Sequence, residues 1–286
     1  MENPILLPSV ICKIITEYAI EYDKILLDWI DINKLDWRIL SGNPNANNLL
    51  MMNQTKINWD LLSINTNTQA IALLKANPDK ISWCLLSDNL NAQAISLLIS
   101  NQDKISWAYL SNNCADGAID LLMANQDKID WCVLSGNTNP RAISLLIANQ
   151  DKIDWDILSC NPNDQAISLL MENRDKIFWN LLSGNSNAQA ISLLMENRDR
   201  INWHSLSCNV NDDAIKLLTV NQDKINWYNL SSNIANGAID LLKANQDKII
   251  WYELSQNPNI FTNDTAKYNT DIKILQSLIY HIGIPM

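Results

Sequence analysis

The stretch Trp155-Asp156-Ile157-Leu158-Ser159-Cys160-Asn161-Pro162-Asn163-Asp164-Gln165-Ala166-Ile167-Ser168-Leu169-Leu170-Met171-Glu172-Asn173-Arg174-Asp175-Lys176-Ile177 decides the fold, because almost the whole chain is built from copies of it. Tryptophan stands at 59, 83, 107, 131, 155, 179, 203, 227 and 251, a spacing of 24, and Trp37 precedes the first of these by 22. From Trp59 onward each tryptophan is followed by Leu three residues later, then Ser, then Asn two further on, from Leu62, Ser63 and Asn65 to Leu254, Ser255 and Asn257. Ala-Ile-x-Leu-Leu recurs from Ala70 to Leu242, an Asn follows from Asn77 to Asn245, and Asp-Lys-Ile-x-Trp closes each cycle, with Arg200 as the one Arg variant. A period of this length marks a solenoid, in which no unit buries its apolar face alone and neighbours must stack.

Each unit reads as two short helices. Ala70, Ile71, Leu73 and Leu74 form one stripe of a 3.6-residue helix, with Asn67 as its N-cap and Asn77 as its stop. The next segment reads as a second helix, from Asp79 at its start to Asn89, which can take a left-handed position at its end. The competing reading is a strand, since Ile81, Trp83 and Leu85 alternate and 24 residues also suits a leucine-rich α/β solenoid. The register disfavours the strand, because Asn89 follows Trp83 by six residues, too far for the leucine-rich pattern. The expected fold is therefore all-α, an α-solenoid of 24-residue helix-turn-helix repeats over residues 35 to 258. Helices this short are marginal alone, so stability must come from stacking.

Both ends depart from the repeat. Residues 259 to 286 read as a C-terminal cap, in which a helix over 270 to 282 would lay Ile274, Leu275, Leu278, Ile279 and Ile282 on the last unit. Residues 1 to 34 read as an N-terminal helical cap, with an apolar stripe at Val10, Ile11, Ile14, Ile15 and Tyr18 after Pro8. Distinct caps speak against end-to-end polymerisation, so a monomer is expected.

The 286 residues carry 21 Lys plus Arg against 31 Asp plus Glu, a formal net charge of −10, which disfavours nucleic acid and anionic membranes as partners. No apolar run reaches the ~18 residues of a membrane span, and the N-terminus lacks the basic start of a secretory signal, so a cytoplasmic protein is expected. The six cysteines contain no CxxC pair and read as reduced packing residues.

Enzymes need unlike residues converging on a point, whereas a repeat spreads like residues along a line. The chain has two histidines, His204 and His281, and no GxSxG, phosphate-cradling glycine loop or HExxH, so no catalytic residue, cofactor or metal is expected. Asp79-Lys80 and its equivalents read as a solvated charged edge, the tryptophans as core wedges, and the Ser63 and Asn65 rows as helix ends and turns. Function then belongs to positions that vary on the fixed frame. The residue after Trp varies most, and its last five members, Asp156, Asn180, His204, Tyr228 and Tyr252, run from polar to aromatic. These are the expected protein-binding strip, since Tyr, His and Asn give adaptable contacts at low entropic cost.

With its Leu-Ser-x-Asn and Asp-Lys-Ile-x-Trp elements, the chain resembles the paralogous repeat families of giant viruses of amoebae, over roughly residues 35 to 258. That resemblance implies a viral scaffold or host-interaction protein with a protein partner, and it assigns no site residue. Leu7-Pro8 and the following dozen residues resemble the first helix of an F-box. This resemblance implies docking on a ubiquitin-ligase adaptor through Leu7, Pro8 and Ile11, with the repeats as substrate arm, whereas a plain cap is the competing reading.

Overall fold

A computed structural model describes residues 31–255 and 257–260. Among these the chain is all-α, with no strand, which settles the choice between the helical and the leucine-rich α/β solenoid. The chain divides into two compact units between Leu145 and Leu146. The N-terminal cap except its last residues, with Leu7, Pro8 and Ile11, lies outside the described residues, as does nearly all of the C-terminal cap.

Each unit stacks the same three elements again and again. In the second unit, for example, a helix headed by tryptophan, Trp155–Cys160, leads to a core helix, Asp164–Glu172, and then to a 3-10 turn, Arg174–Lys176. Like packs on like: Trp155–Cys160 lies against Trp179–Leu182, and Asp164–Glu172 against Ala188–Glu196. In the first unit Trp59–Ser63 likewise packs on Trp83–Ser87, and Thr68–Ala76 on Ala92–Ser100.

The core helices form where the Ala-Ile-x-Leu-Leu stripe placed them. Asn67 caps its helix by accepting from the Gln69 amide at 2.8 Å, and Asn77 ends it while donating its side-chain amide back to the Leu73 carbonyl at 3.0 Å. Ala70, Ile71, Leu73 and Leu74 are buried, as are their equivalents Ala190, Ile191, Leu193 and Leu194. Each buried Leu or Ile contributes about 1.5–3 kcal/mol of transfer free energy, so the apolar layer between successive core helices is the main source of cohesion.

The second expected helix is broken. Asp79 does not cap it but sits inside a 3-10 turn, Pro78–Lys80, and Ile81 and Ser82 are extended before the helix Trp83–Ser87 begins. The extended pair turns Ile81 into the core, where it is 8% exposed, and so accounts for the alternation that resembled a strand. Nor does the conserved-looking Asn take a left-handed conformation: Asn113 has φ −68° and Asn233 φ −70°, both extended.

Serine and asparagine do more than end a helix. The Ser63 hydroxyl donates to the Trp59 carbonyl at 2.8 Å and accepts from the Ser82 amide at 3.1 Å, so it ties one repeat to the extended link of the next. The Asn89 side-chain amide donates to the carbonyls of Ser63 at 2.9 Å and Asn65 at 3.0 Å, both in the preceding repeat. Its oxygen accepts from the Asn91 amide at 2.9 Å. The second unit repeats the pattern, with Asn209 donating to Ser183 at 3.0 Å and Asn185 at 2.8 Å. These asparagines are buried and use all three of these bonds, so each repeat carries the hydrogen-bonding groups that its predecessor's turn needs.

Candidate functional site

The expected strip lies in the second unit. Asp156, Asn180, His204, Tyr228 and Tyr252 are each the second residue of a tryptophan-headed helix, and all five are exposed. Their register follows from the frame: the leucine two residues on, Leu158 to Leu230, is buried and the serine after it is hydrogen-bonded, so the residue beside Trp is turned outward.

Neighbouring repeats meet at this edge through side chains. Asn202, one residue before Trp203, donates to the Asn180 side-chain oxygen at 3.1 Å, and Asn226 lies 2.9 Å from His204 Nδ1. Asn229 donates to the His204 carbonyl at 2.9 Å. Tyr228 is hydrogen-bonded to Glu253, whose side chain is mostly buried. That bond, together with the carboxylate's charge, pushes the Tyr228 phenol above its ordinary 10.0. Three of the five residues, Asn180, His204 and Tyr228, therefore stand on a braced edge, and the run becomes aromatic towards Tyr252, which is 75% exposed.

Two rows depart from their sequence reading. The tryptophans are not core wedges, since Trp59 to Trp227 are only half-buried. Their rings lie against the lysine of the turn that closes the same repeat: Lys80 stands 4.6 Å from the centre of Trp59, and Lys224 4.7 Å from that of Trp203. The Asp-Lys edge is thus not simply solvated, because its lysines roof the tryptophans through cation–π contacts. Replacing Lys224 by Met, which keeps much of the stem and removes the charge, is expected to cost about 0.5–1 kcal/mol, measured by urea denaturation. The equivalent Arg200 lies 3.6 Å from Asp199, and Arg200→Met should cost less.

The cysteines are not packing residues either. Cys84, Cys114, Cys132, Cys160 and Cys208 are exposed thiols outside any disulfide. Partial desolvation nevertheless pushes the thiols of Cys160 and Cys208 above 9.0, with Asp156 adding to the effect at Cys160. All five should react with a disulfide reagent in the native protein, with Cys160 and Cys208 the slowest at about pH 8, because less of each is thiolate. Mass spectrometry of the labelled peptides gives the order.

Among the described residues no group of three or more His, Cys, Asp or Glu is placed to hold a metal ion, and no helix is long and apolar enough to cross a membrane. Compared with known proteins, the chain matches no family model, no curated protein and no solved structure.

Proposed function

We propose that the chain is a non-enzymatic scaffold that binds a protein partner along the strip from Asp156 to Tyr252. The observation that carries this reading is the exposure of a varied polar and aromatic row on an otherwise repeated, hydrogen-bonded frame. A row of this kind presents Tyr, His and Asn without the entropic cost of ordering a loop, since the helices beneath are already fixed by stacking. The resemblance to giant-virus repeat families makes an amoebal host protein, met in the host cytoplasm by a monomeric chain, the partner of choice.

The test uses His204→Ala combined with Tyr252→Ala. Tyr228 is left in place because its phenol also partners the mostly buried Glu253. Cross-linked capture from host lysate, quantified by mass spectrometry, should lose its main partner with the double variant and keep it with Asp60→Ala plus Cys84→Ala at the same repeat position of the first unit. Thermal midpoints should be nearly equal in all three proteins. Equal capture by the strip variant would overturn the proposal.

A further inference from the structure

Of the chain's six glycines only Gly237 follows an asparagine, so Asn236-Gly237 is its single Asn-Gly pair. The pair opens the core helix Asn236–Ala244 in the second unit, and Asn236 is exposed. What sets this helix start apart is its cap. In the same unit Asn163, Asn187 and Asn211 cap their core helices, and the side-chain oxygen of each accepts from the backbone amide two residues on, that of Gln165, Gln189 or Asp213, at 2.8 Å. At the equivalent place stands Ala235, which has no oxygen to offer. The amide left over belongs to Gly237, and among the described residues it donates to nothing.

A first turn without its cap opens more readily than its neighbours. The Gly237 nitrogen then has no hydrogen bond holding its proton and no Cβ beside it to hinder approach. The Asn236 side-chain carbonyl carbon lies the right number of bonds away to close a five-membered ring with that nitrogen.

We infer that Asn236 is a site of spontaneous modification, at which the Gly237 nitrogen displaces the side-chain amide to form a succinimide that water opens to aspartate or isoaspartate. Solvent hydroxide takes the Gly237 amide proton and the nitrogen forms a bond to Asn236 Cγ. The bond from Cγ to the side-chain nitrogen breaks, and ammonia leaves with a proton from water. Water then adds to one of the two ring carbonyls. Cleavage of the new nitrogen–Cγ bond gives aspartate, and cleavage of the original peptide bond gives isoaspartate. No electron is transferred to or from the chain.

The fold treats the two products differently. Aspartate at this place suits the frame, since Asp164 and Asp212 begin the core helices Asp164–Glu172 and Asp212–Thr219, and a carboxylate is favoured at a helix start. Isoaspartate lengthens the main chain by a methylene directly before Gly237. That position has no slack, because even a Cβ on Gly237 would meet Ile215 Cγ2 at 2.9 Å. The isoaspartyl form therefore loosens the start of Asn236–Ala244 from Asp212–Thr219, and the chain carries a slow chemical clock in one core-helix contact. The site is apart from the strip of Asp156 to Tyr252 and does not rest on that strip's role.

The experiment incubates the full chain in mildly alkaline buffer and follows each asparagine by peptide mapping with mass spectrometry, with an isoaspartyl methyltransferase as reagent to tell isoaspartate from aspartate. Conversion at Asn236 should run at least about tenfold faster than at Asn180, which is exposed and followed by Leu181, and should quicken as pH rises. Ala235→Asn, which restores the cap and keeps the Asn-Gly pair, should slow conversion by about fivefold or more. Asn236→Asp should keep the hydrogen-exchange protection of both helices, whereas the isoaspartyl form, separated by ion exchange, should exchange faster over 212–219 and 236–244. Conversion at Asn236 no faster than at Asn180 would overturn the proposal, as would an unchanged rate in Ala235→Asn. Equal protection of the isoaspartyl and Asn236→Asp chains would overturn the loosening.

Discussion

Asn209→Ala is expected to destabilise the second unit by about 3–4 kcal/mol, far more than a turn asparagine normally commands. The side chain is 1% exposed and makes three hydrogen bonds. Its amide serves the carbonyls of Ser183 and Asn185, and its oxygen serves the Asn211 amide at 2.9 Å. Alanine cannot replace any of them, and the space is too enclosed for the freed groups to recover water cheaply, so each unsatisfied group costs about 1–3 kcal/mol. The cost falls on two repeats at once, because the carbonyls belong to the repeat before. Urea denaturation followed by circular dichroism gives the magnitude, and hydrogen exchange should show faster exchange on both sides of the substitution. Asn180→Ala, at an exposed asparagine, is the control and should move the midpoint little.

A second large effect is expected inside one core helix. Leu194→Ala should cost about 2–5 kcal/mol, whereas Met195→Ala, one residue on, should cost under about 1 kcal/mol. Leu194 has no exposed surface and its removal leaves a cavity between stacked helices, while Met195 is 39% exposed on the outer side of Ala188–Glu196. Denaturation midpoints of the two variants, measured side by side, check which face of the helix carries the stack. Comparable losses would mean that the stacking layer is thicker than Ala190, Ile191, Leu193 and Leu194.

The core helices were legible in the sequence because nine residues contain more than two turns, enough for Ala-Ile-x-Leu-Leu to declare its face. The tryptophan segment was not. A helix of four to six residues holds barely one turn, so Ile81 in the extended link and Leu85 in the helix could be joined into either a wheel or a strand. The tryptophans misled for a related reason. Their period equals the structural period, which suits a core wedge, but a ring roofed by the lysine of its own closing turn has that period too.

Asparagine was read as a turn former, which it is, since its oxygen bonds the amide two residues on. What stayed hidden was the other end of the side chain, because a partner 24 or 26 residues back cannot be inferred from local propensity. The exposed strip was readable because a strict repeat isolates whatever varies. The close approach at Gly237 was not, since a glycine within a helix pattern reads as a weak point until the neighbouring Ile215 is seen against it.

The asparagine ladder also works as a ruler graduated in whole repeats. In the second unit the rungs at Asn209 and Asn233 bind carbonyls 24 and 26 residues back and are chemically alike. Excising one complete repeat from within a unit therefore brings together two ends that already fit, whereas inserting a single residue between Asn209 and Asn233 shifts the rung that spans it off its partners. A lineage that duplicates or loses whole segments can thus lengthen or shorten the exposed edge in steps of 24 residues without redesigning the interior.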